Sequence, residues 1–257
     1  WTPWLDDPLP DSLRERIELL KRSQAIYQAH FPQDESAKDL ARRLLAFDEL
    51  FSMQMYVFSR RREWREVKGA APLYRNEELL HSFLSRLPFS LTSAQKKALG
   101  EIQSDMESAR PMSRLLQGDV GSGKTVVALA GLLIAVLDGY QGALMAPTEI
   151  LAEQHYQNFR NWLEPLGVEL AWLSGKVKGK ARQAALSAVA EGRAQIAIGT
   201  HALFQDDVVF QRLALVIVDE QHRFGVHQRL ALREKGVGGT LAPHQLIMTA
   251  TPIPRTP

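Results

Sequence analysis

Eight residues, Gly118-Asp119-Val120-Gly121-Ser122-Gly123-Lys124-Thr125, constrain what this chain can fold into more than any others. They satisfy G-x-x-x-x-G-K-[ST] at every fixed position. The spacing has a physical reason. The glycines let the backbone curl until several N–H groups face one anion, and the helix that follows directs its positive dipole end to the same point. Lys124 is then placed to reach the β- and γ-phosphates of a bound nucleotide, and the Thr125 hydroxyl to bind Mg2+. The context agrees: 112–117 reads as a strand entering the loop, and 125–137, rich in Ala, Leu and Val, as a buried helix leaving it. A Gly-Ser turn that happens to precede Lys-Thr would not need that order.

Strands alternate with helices throughout 89–257. Candidate strands are 115–117, 141–146, 169–173, 195–199, 213–218 and 244–248; candidate helices are 125–137, 149–162, 179–191 and 227–235. Several strands are nearly continuous apolar runs, which implies burial on both faces of a parallel sheet covered by helices. The alternation predicts an open, doubly wound α/β domain. Its ligands would lie beyond the carboxyl ends of the strands, where the phosphate loop falls.

One strand, Leu215-Val216-Ile217-Val218, ends in Asp219-Glu220. In a phosphate-loop protein an acid at this position holds Mg2+ beside the loop hydroxyl, so Asp219 is assigned to the metal. Glu220 is placed to orient and deprotonate an attacking water. The same pair could instead cap a helix N-terminus.

The region before residue 89 reads as a mostly helical connector. Leu40, Leu44, Phe47, Phe51, Met55 and Phe58 recur at helical spacing and predict one face of a long amphipathic helix. It runs into 60–68, with five basic and two acidic residues, read as a solvated helix end or a phosphate-contacting patch. Gly69-Ala70-Ala71-Pro72 breaks the helix, and 79–87 predicts a short one stopped by Pro88. The predicted division is therefore 1–88 and 89–257. The irregular start and the Pro-rich finish suggest a segment of a longer protein.

Composition narrows the chemistry. The net charge of +2 gives no whole-chain signature for nucleic acid, so any such surface is a local patch. Cysteine is absent from the sequence, which excludes disulfides, thiolate zinc sites and cysteine nucleophiles. No run is long and apolar enough to predict a membrane span.

Beyond the loop, Asp219-Glu220-Gln221-His222 resembles the DExH-type box of superfamily 2 helicases. The segments Ala146-Pro147-Thr148-Glu149-Ile150-Leu151-Ala152-Glu153-Gln154-His155 and Gly199-Thr200-His201-Ala202-Leu203 resemble their motifs Ia and Ib. Thr249-Ala250-Thr251-Pro252 resembles motif III, and Leu91-Thr92-Ser93-Ala94-Gln95 the Q motif. The wording of 118–125, 219–226 and 248–256 is similar to the RecG family of bacterial branched-DNA helicases. Transcription-repair coupling factors are the sibling family; there an acidic residue would be expected at Gln221 and Gln at His222.

That resemblance implies a RecA-like domain ending at motif III, ATP and Mg2+ as cofactors, and forked or branched DNA, contacted independently of sequence, as partner. It further implies single-strand-binding protein as a partner and a bacterial cytoplasmic, nucleoid-associated setting. Trp1 to about Pro10 would be the tail of a wedge domain, and the long helix a strut towards the motor. By the same resemblance Gln95 would read adenine, Phe89 stack on the base, and Gln221 and His222 serve catalysis, with His222 passing the nucleotide state to Thr249, Ala250 and Thr251. Pro147, Thr148, Thr200 and His201 would touch the tracked strand, although Thr148 also fits a helix cap. The loop 174–182 has four cations and no acid, with Lys176 the candidate for a phosphate; a solvated loop is the alternative. A module that binds without turnover and a phosphate-loop kinase are the competing functions. The Asp-Glu-Gln-His box argues against the kinase.

Overall fold

The computed structural model describes residues 6–66, 69–74, 77–85, 90–220, 236 and 241–250. The predictions at Phe89, Gln221, His222, Thr251 and the helix 227–235 lie outside them, as do most side chains of the basic run 60–68.

Contacts divide the chain into two units, between Val67 and Lys68. The first contains helices α1 (Asp11–Arg16), α2 (Arg22–His30) and α3 (Glu35–Glu66). Its core is Leu9, Ala25, Ala41 and Leu44, with Phe47 and Phe51 packed beside it. The predicted long helix is present, but its apolar stripe is used only in part. Leu44 is fully buried, whereas Leu40, Met55 and Phe58 are exposed. Periodicity placed them on one face; it could not say how far along the helix the packing partners reach. Arg14 is buried and held by Asp7, by Asp11 and by the Leu9 carbonyl. Burial pushes the Asp7 carboxyl up, but the Arg22 and Leu9 amides and the Arg14 guanidinium hold it below its usual range.

The second unit is an α/β domain. Its elements are α4 (Glu77–Ser85), α5 (Ser93–Met106), β1 (Ser113–Gln117), α6 (Lys124–Leu137), β2 (Gln141–Met145), α7 (Glu149–Leu163), β3 (Leu170–Leu173), α8 (Gly179–Ala190), β4 (Ile196–Gly199), β5 (Leu213–Asp219) and β6 (His244–Thr249). All strand pairs are parallel, in the order β1-β6-β5-β2-β4-β3. Every strand predicted from sequence is present with small shifts at its ends.

The sheet has a core on each face. Leu144, Ile196, Ile198, Leu215, Ile217, Leu246 and Met248 pack towards α5, α6 and α7. Ala143, Met145, Ala171, Leu173, Val216 and Val218 pack towards α8 and the 208–210 segment. This alternation between two buried faces is why the strands read as unbroken apolar runs. The edge strands β1 and β3 are less covered, and on β1 Leu115 is 41 % exposed.

The break after Pro88 does not coincide with the division by contacts. Leu73, Leu80 and Phe83 join the core around α6, so α4 packs with the α/β unit. The preceding segment is fixed there too. Ala70 N–H donates to Ala109 O, Leu73 N–H to Met106 O, and Ala242 N–H to Gly69 O.

His244, fully buried at the start of β6, completes the attachment. Met112 N–H donates to its Nδ1 at 3.1 Å, and its Nε2 lies 2.9 Å from Ala71 O. Accepting at Nδ1 and donating at Nε2 requires the neutral ring. Burial pushes its pKa below the ordinary value, outweighing the Ala71 bond and Asp105. The unfolded chain therefore takes up this proton first as pH falls, and the contribution, complete above about pH 6.5, is lost below it. Stability measured by denaturant should fall by up to about 1.4 kcal/mol per pH unit below that point for this one group. His244→Gln should remove that part of the slope.

Candidate nucleotide and nucleic-acid site

Strand order arranges the site. At the carboxyl ends, reading across the sheet, stand Gly118 after β1, Thr249 ending β6, Asp219 ending β5 with Glu220 after it, Ala146 after β2, Thr200 after β4 and Ser174 after β3. The residues assigned to nucleotide occupy one half of this row, and those assigned to nucleic acid the other.

The phosphate loop joins β1 to α6 as predicted. Gly123 is the residue before α6, with φ of 79°, and among the described residues no side chain caps the helix. The α6 N-terminus is thereby left to face an anion. Lys124 Nζ donates to Gly118 O at 2.6 Å and to Asp119 O at 2.9 Å. A phosphate would take over such bonds with a full charge. Gly118 N–H donates to Thr249 O at 3.3 Å, tying the loop entry to the end of β6.

Gln95 is found at the loop, but both ends of its amide are engaged. Its Oε1 accepts from Thr92 N–H at 2.9 Å, while Thr92 Oγ1 accepts from Gln95 N–H, closing a capping box on α5. Its Nε2 donates to Ser122 O at 2.9 Å. The side chain thus braces the loop; reading adenine would use its remaining hydrogen and lone pair.

That brace explains Gly123. A Cβ there would stand 2.3 Å from Gln95 Nε2, on a backbone conformation L-residues disfavour. Gly121 shares the positive φ but has open space around it. Gly123→Ala should relax the loop away from this conformation, which costs an L-residue about 1–2 kcal/mol, and so weaken binding of a fluorescent ATP analogue by about tenfold. Gly121→Ala should cost less, and equal losses would show that the Gln95 contact is immaterial.

On the neighbouring strands, Asp219 and Glu220 face different partners. Asp219 Oδ2 lies 2.8 Å from His155 Nε2. Glu220 has φ of 52°, rare for a residue with a side chain. Its N–H donates to Met248 O at 2.9 Å, and its Oε1 accepts from Ala250 N–H at 3.3 Å. Thr249 and Ala250 are therefore bonded to the phosphate loop on one side and to Glu220 on the other. A Mg2+ ion fits this donor set: Asp219 and Thr125 would hold it with phosphate oxygens and water. Among the described residues no group of three His, Asp or Glu side chains forms a metal cage.

In the other half, Ala146 N–H donates to Gly199 O, so the segments after β2 and β4 lie side by side. Thr148 caps α7, its Oγ1 accepting from Leu151 N–H at 3.3 Å. Thr200 is buried, and among the described residues its Oγ1 has no hydrogen-bond partner. Pro147 is half-buried and His201 exposed. Lys176 forms an ion pair with Glu149 at 2.5 Å, and this bond raises its pKa. Arg182 pairs with Asp207. The loop read from sequence as free of acids thus has two of its four cations countered by acids distant in sequence. A phosphate at Lys176 would compete with Glu149.

The sequence did not single out His155 as a site residue. The signal was present: His155 occupies the buried stripe of α7, with Ala152, Phe159 and Leu163, where a polar side chain needs a partner.

Phosphate loop, strand-end acids and the bonded Thr249–Ala250 segment together form a candidate nucleotide site of the phosphate-loop class. A DEAD/DEAH box helicase family profile matches residues 92–257, and the chain belongs to that family. Within it the similarity is to RecG. The chain is 51 % identical over 250 residues to the ATP-dependent DNA helicase RecG of Haemophilus influenzae, covering 97 % of this chain and 36 % of that protein. It is 54 % identical to the RecG of Escherichia coli K12, covering 98 % and 37 %. A solved structure of RecG bound to a three-way DNA junction superposes with a TM-score of 0.85 at 41 % identity, over 99 % of this chain and 34 % of that one. The chain thus spans about a third of the length of these relatives.

Proposed function

We propose that this chain is the ATP-binding first motor domain of a RecG-type DNA translocase that remodels branched DNA, such as stalled forks and Holliday junctions. The observation that carries the reading is the Thr249–Ala250 backbone, bonded at once to Gly118 of the phosphate loop and to Glu220. A change at the phosphates can reach the residue assigned to water activation, and the nucleic-acid half beyond it, through bonds already made.

In this reading Lys124 and the loop amides bind the triphosphate, and Gln95 braces the loop, with Phe89 stacking on the base. Mg2+, held by Asp219 and Thr125, would neutralise phosphate charge. Glu220 orients the attacking water and takes its proton as the bond to the departing ADP breaks. Gln221 and His222 act beside it, and Thr249, Ala250 and Thr251 pass the state on. Pro147, Thr148, Thr200, His201 and Lys176 face the tracked strand. Contacts of this kind are with phosphates and carry no sequence information. Residues 1–67 serve as connector and 68–257 as motor, with DNA and single-strand-binding protein as partners in the bacterial nucleoid.

The test is hydrolysis of ATP by the helicase that contains this chain, with forked and with linear DNA of unrelated sequences. Stimulation by forks, insensitive to sequence and steeply reduced by salt, is expected. Stimulation that follows sequence rather than branching would overturn the reading. Tight ATP binding with no single-turnover hydrolysis would favour a binding module.

A further inference from the structure

Asp219, assigned to Mg2+, already has a side-chain partner. His155 lies on α7, two turns beyond the Thr148 cap, with its Nε2 2.8 Å from Asp219 Oδ2. Both side chains are nearly enclosed, at 11 % and 13 % exposure. An ionised carboxylate accepts and cannot donate, so the imidazole carries a proton on Nε2. The ring also packs against Phe159, with centroids 6.1 Å apart, and Phe159 is itself fully buried in the core under the sheet. The histidine therefore has little freedom, and neither has the carboxylate oxygen it holds.

We propose that His155 is a positioning residue for the metal acid. It fixes the Asp219 carboxylate with Oδ2 engaged and leaves Oδ1 for Mg2+. Because α7 begins at Thr148, in the segment assigned to nucleic acid, the same bond makes this helix a side-chain link between the two halves of the site. Carboxylates that bind metals are commonly oriented by such outer partners, and removing one typically costs about 10–100-fold in metal affinity or activity. The inference rests on the nucleotide and metal reading above.

Mn2+, a paramagnetic substitute for Mg2+, gives the test. With saturating ADP, Mn2+ affinity measured by EPR should fall about tenfold or more in His155→Ala. His155→Gln, whose amide can donate to the same oxygen, should recover most of that loss. Affinity for a fluorescent ADP in EDTA should be the same in all three proteins, which a general structural defect would not allow. Unchanged Mn2+ affinity in His155→Ala, a Gln variant no better than Ala, or an equal loss of metal-free nucleotide binding would each overturn the proposal. Should the variants fail to fold, the wild-type protein decides. The His155 Nε2–H resonance should shift when Mg2+ joins ADP and not with ADP alone; no metal-dependent shift overturns the proposal. If wild-type protein binds no Mn2+ with ADP, the underlying metal reading is wrong and the proposal falls with it.

Discussion

Glu220→Gln is expected to lower single-turnover ATP hydrolysis by about 10²–10⁴-fold while leaving nucleotide affinity near that of the wild type. The substitution is informative because of how Glu220 is held. Its backbone N–H is bonded to Met248 O and its Oε1 to Ala250 N–H. The glutamine oxygen can still accept from Ala250, so the geometry survives and only the basicity is lost. Rapid-quench hydrolysis beside equilibrium binding separates the two. Near wild-type hydrolysis would mean that Glu220 serves the backbone alone.

The second large effect is on binding. Lys124→Ala should weaken ATP affinity by about 10- to 150-fold, the equivalent of one charge-assisted hydrogen bond at about 1.5–3 kcal/mol. Lys124 spans Gly118 O and Asp119 O, so the alanine variant also loses a clasp on the loop's own carbonyls. Lys124→Arg would retain the charge in a shape that fits neither carbonyl pair nor phosphate as well, and should fall between the two. Calorimetry with ATP and Mg2+ measures both, and unchanged affinity in Lys124→Ala would refute the loop assignment.

Where sequence and structure agree, local pattern sufficed. The apolar runs at 141–146 and 213–218 could only be strands buried on two faces, and the Gly-rich octet could only join a strand to a helix. The disagreements share a cause: each depends on partners far apart in the chain. Pro88 is a strong local break, yet Leu80 and Phe83 pack on α6, so the contact boundary falls earlier. Lys176 reads as a free cation until folding brings Glu149 to it. Gln95 was found by its motif, but not its bond to Ser122 O. His155 was visible as a polar residue in an apolar stripe, whereas its partner Asp219 ends β5, 64 residues further along the chain, and could be found only by folding.

The attachment of residues 69–73 has a consequence for how this unit opens to solvent. The amides of Ala70 and Leu73 are bonded to Ala109 O and Met106 O, and Ala71 O is held by His244, itself seated at the start of β6. A stretch that looks from its Gly-Ala-Ala-Pro sequence like an exchangeable surface linker is instead closed by the same cooperative structure as the sheet. The Ala70 and Leu73 amide hydrogens should exchange with deuterium only in the openings that also release β1 and β6. The kinetic boundary of the motor domain then lies before Ala70, and isotope uptake would draw it there with no knowledge of the fold.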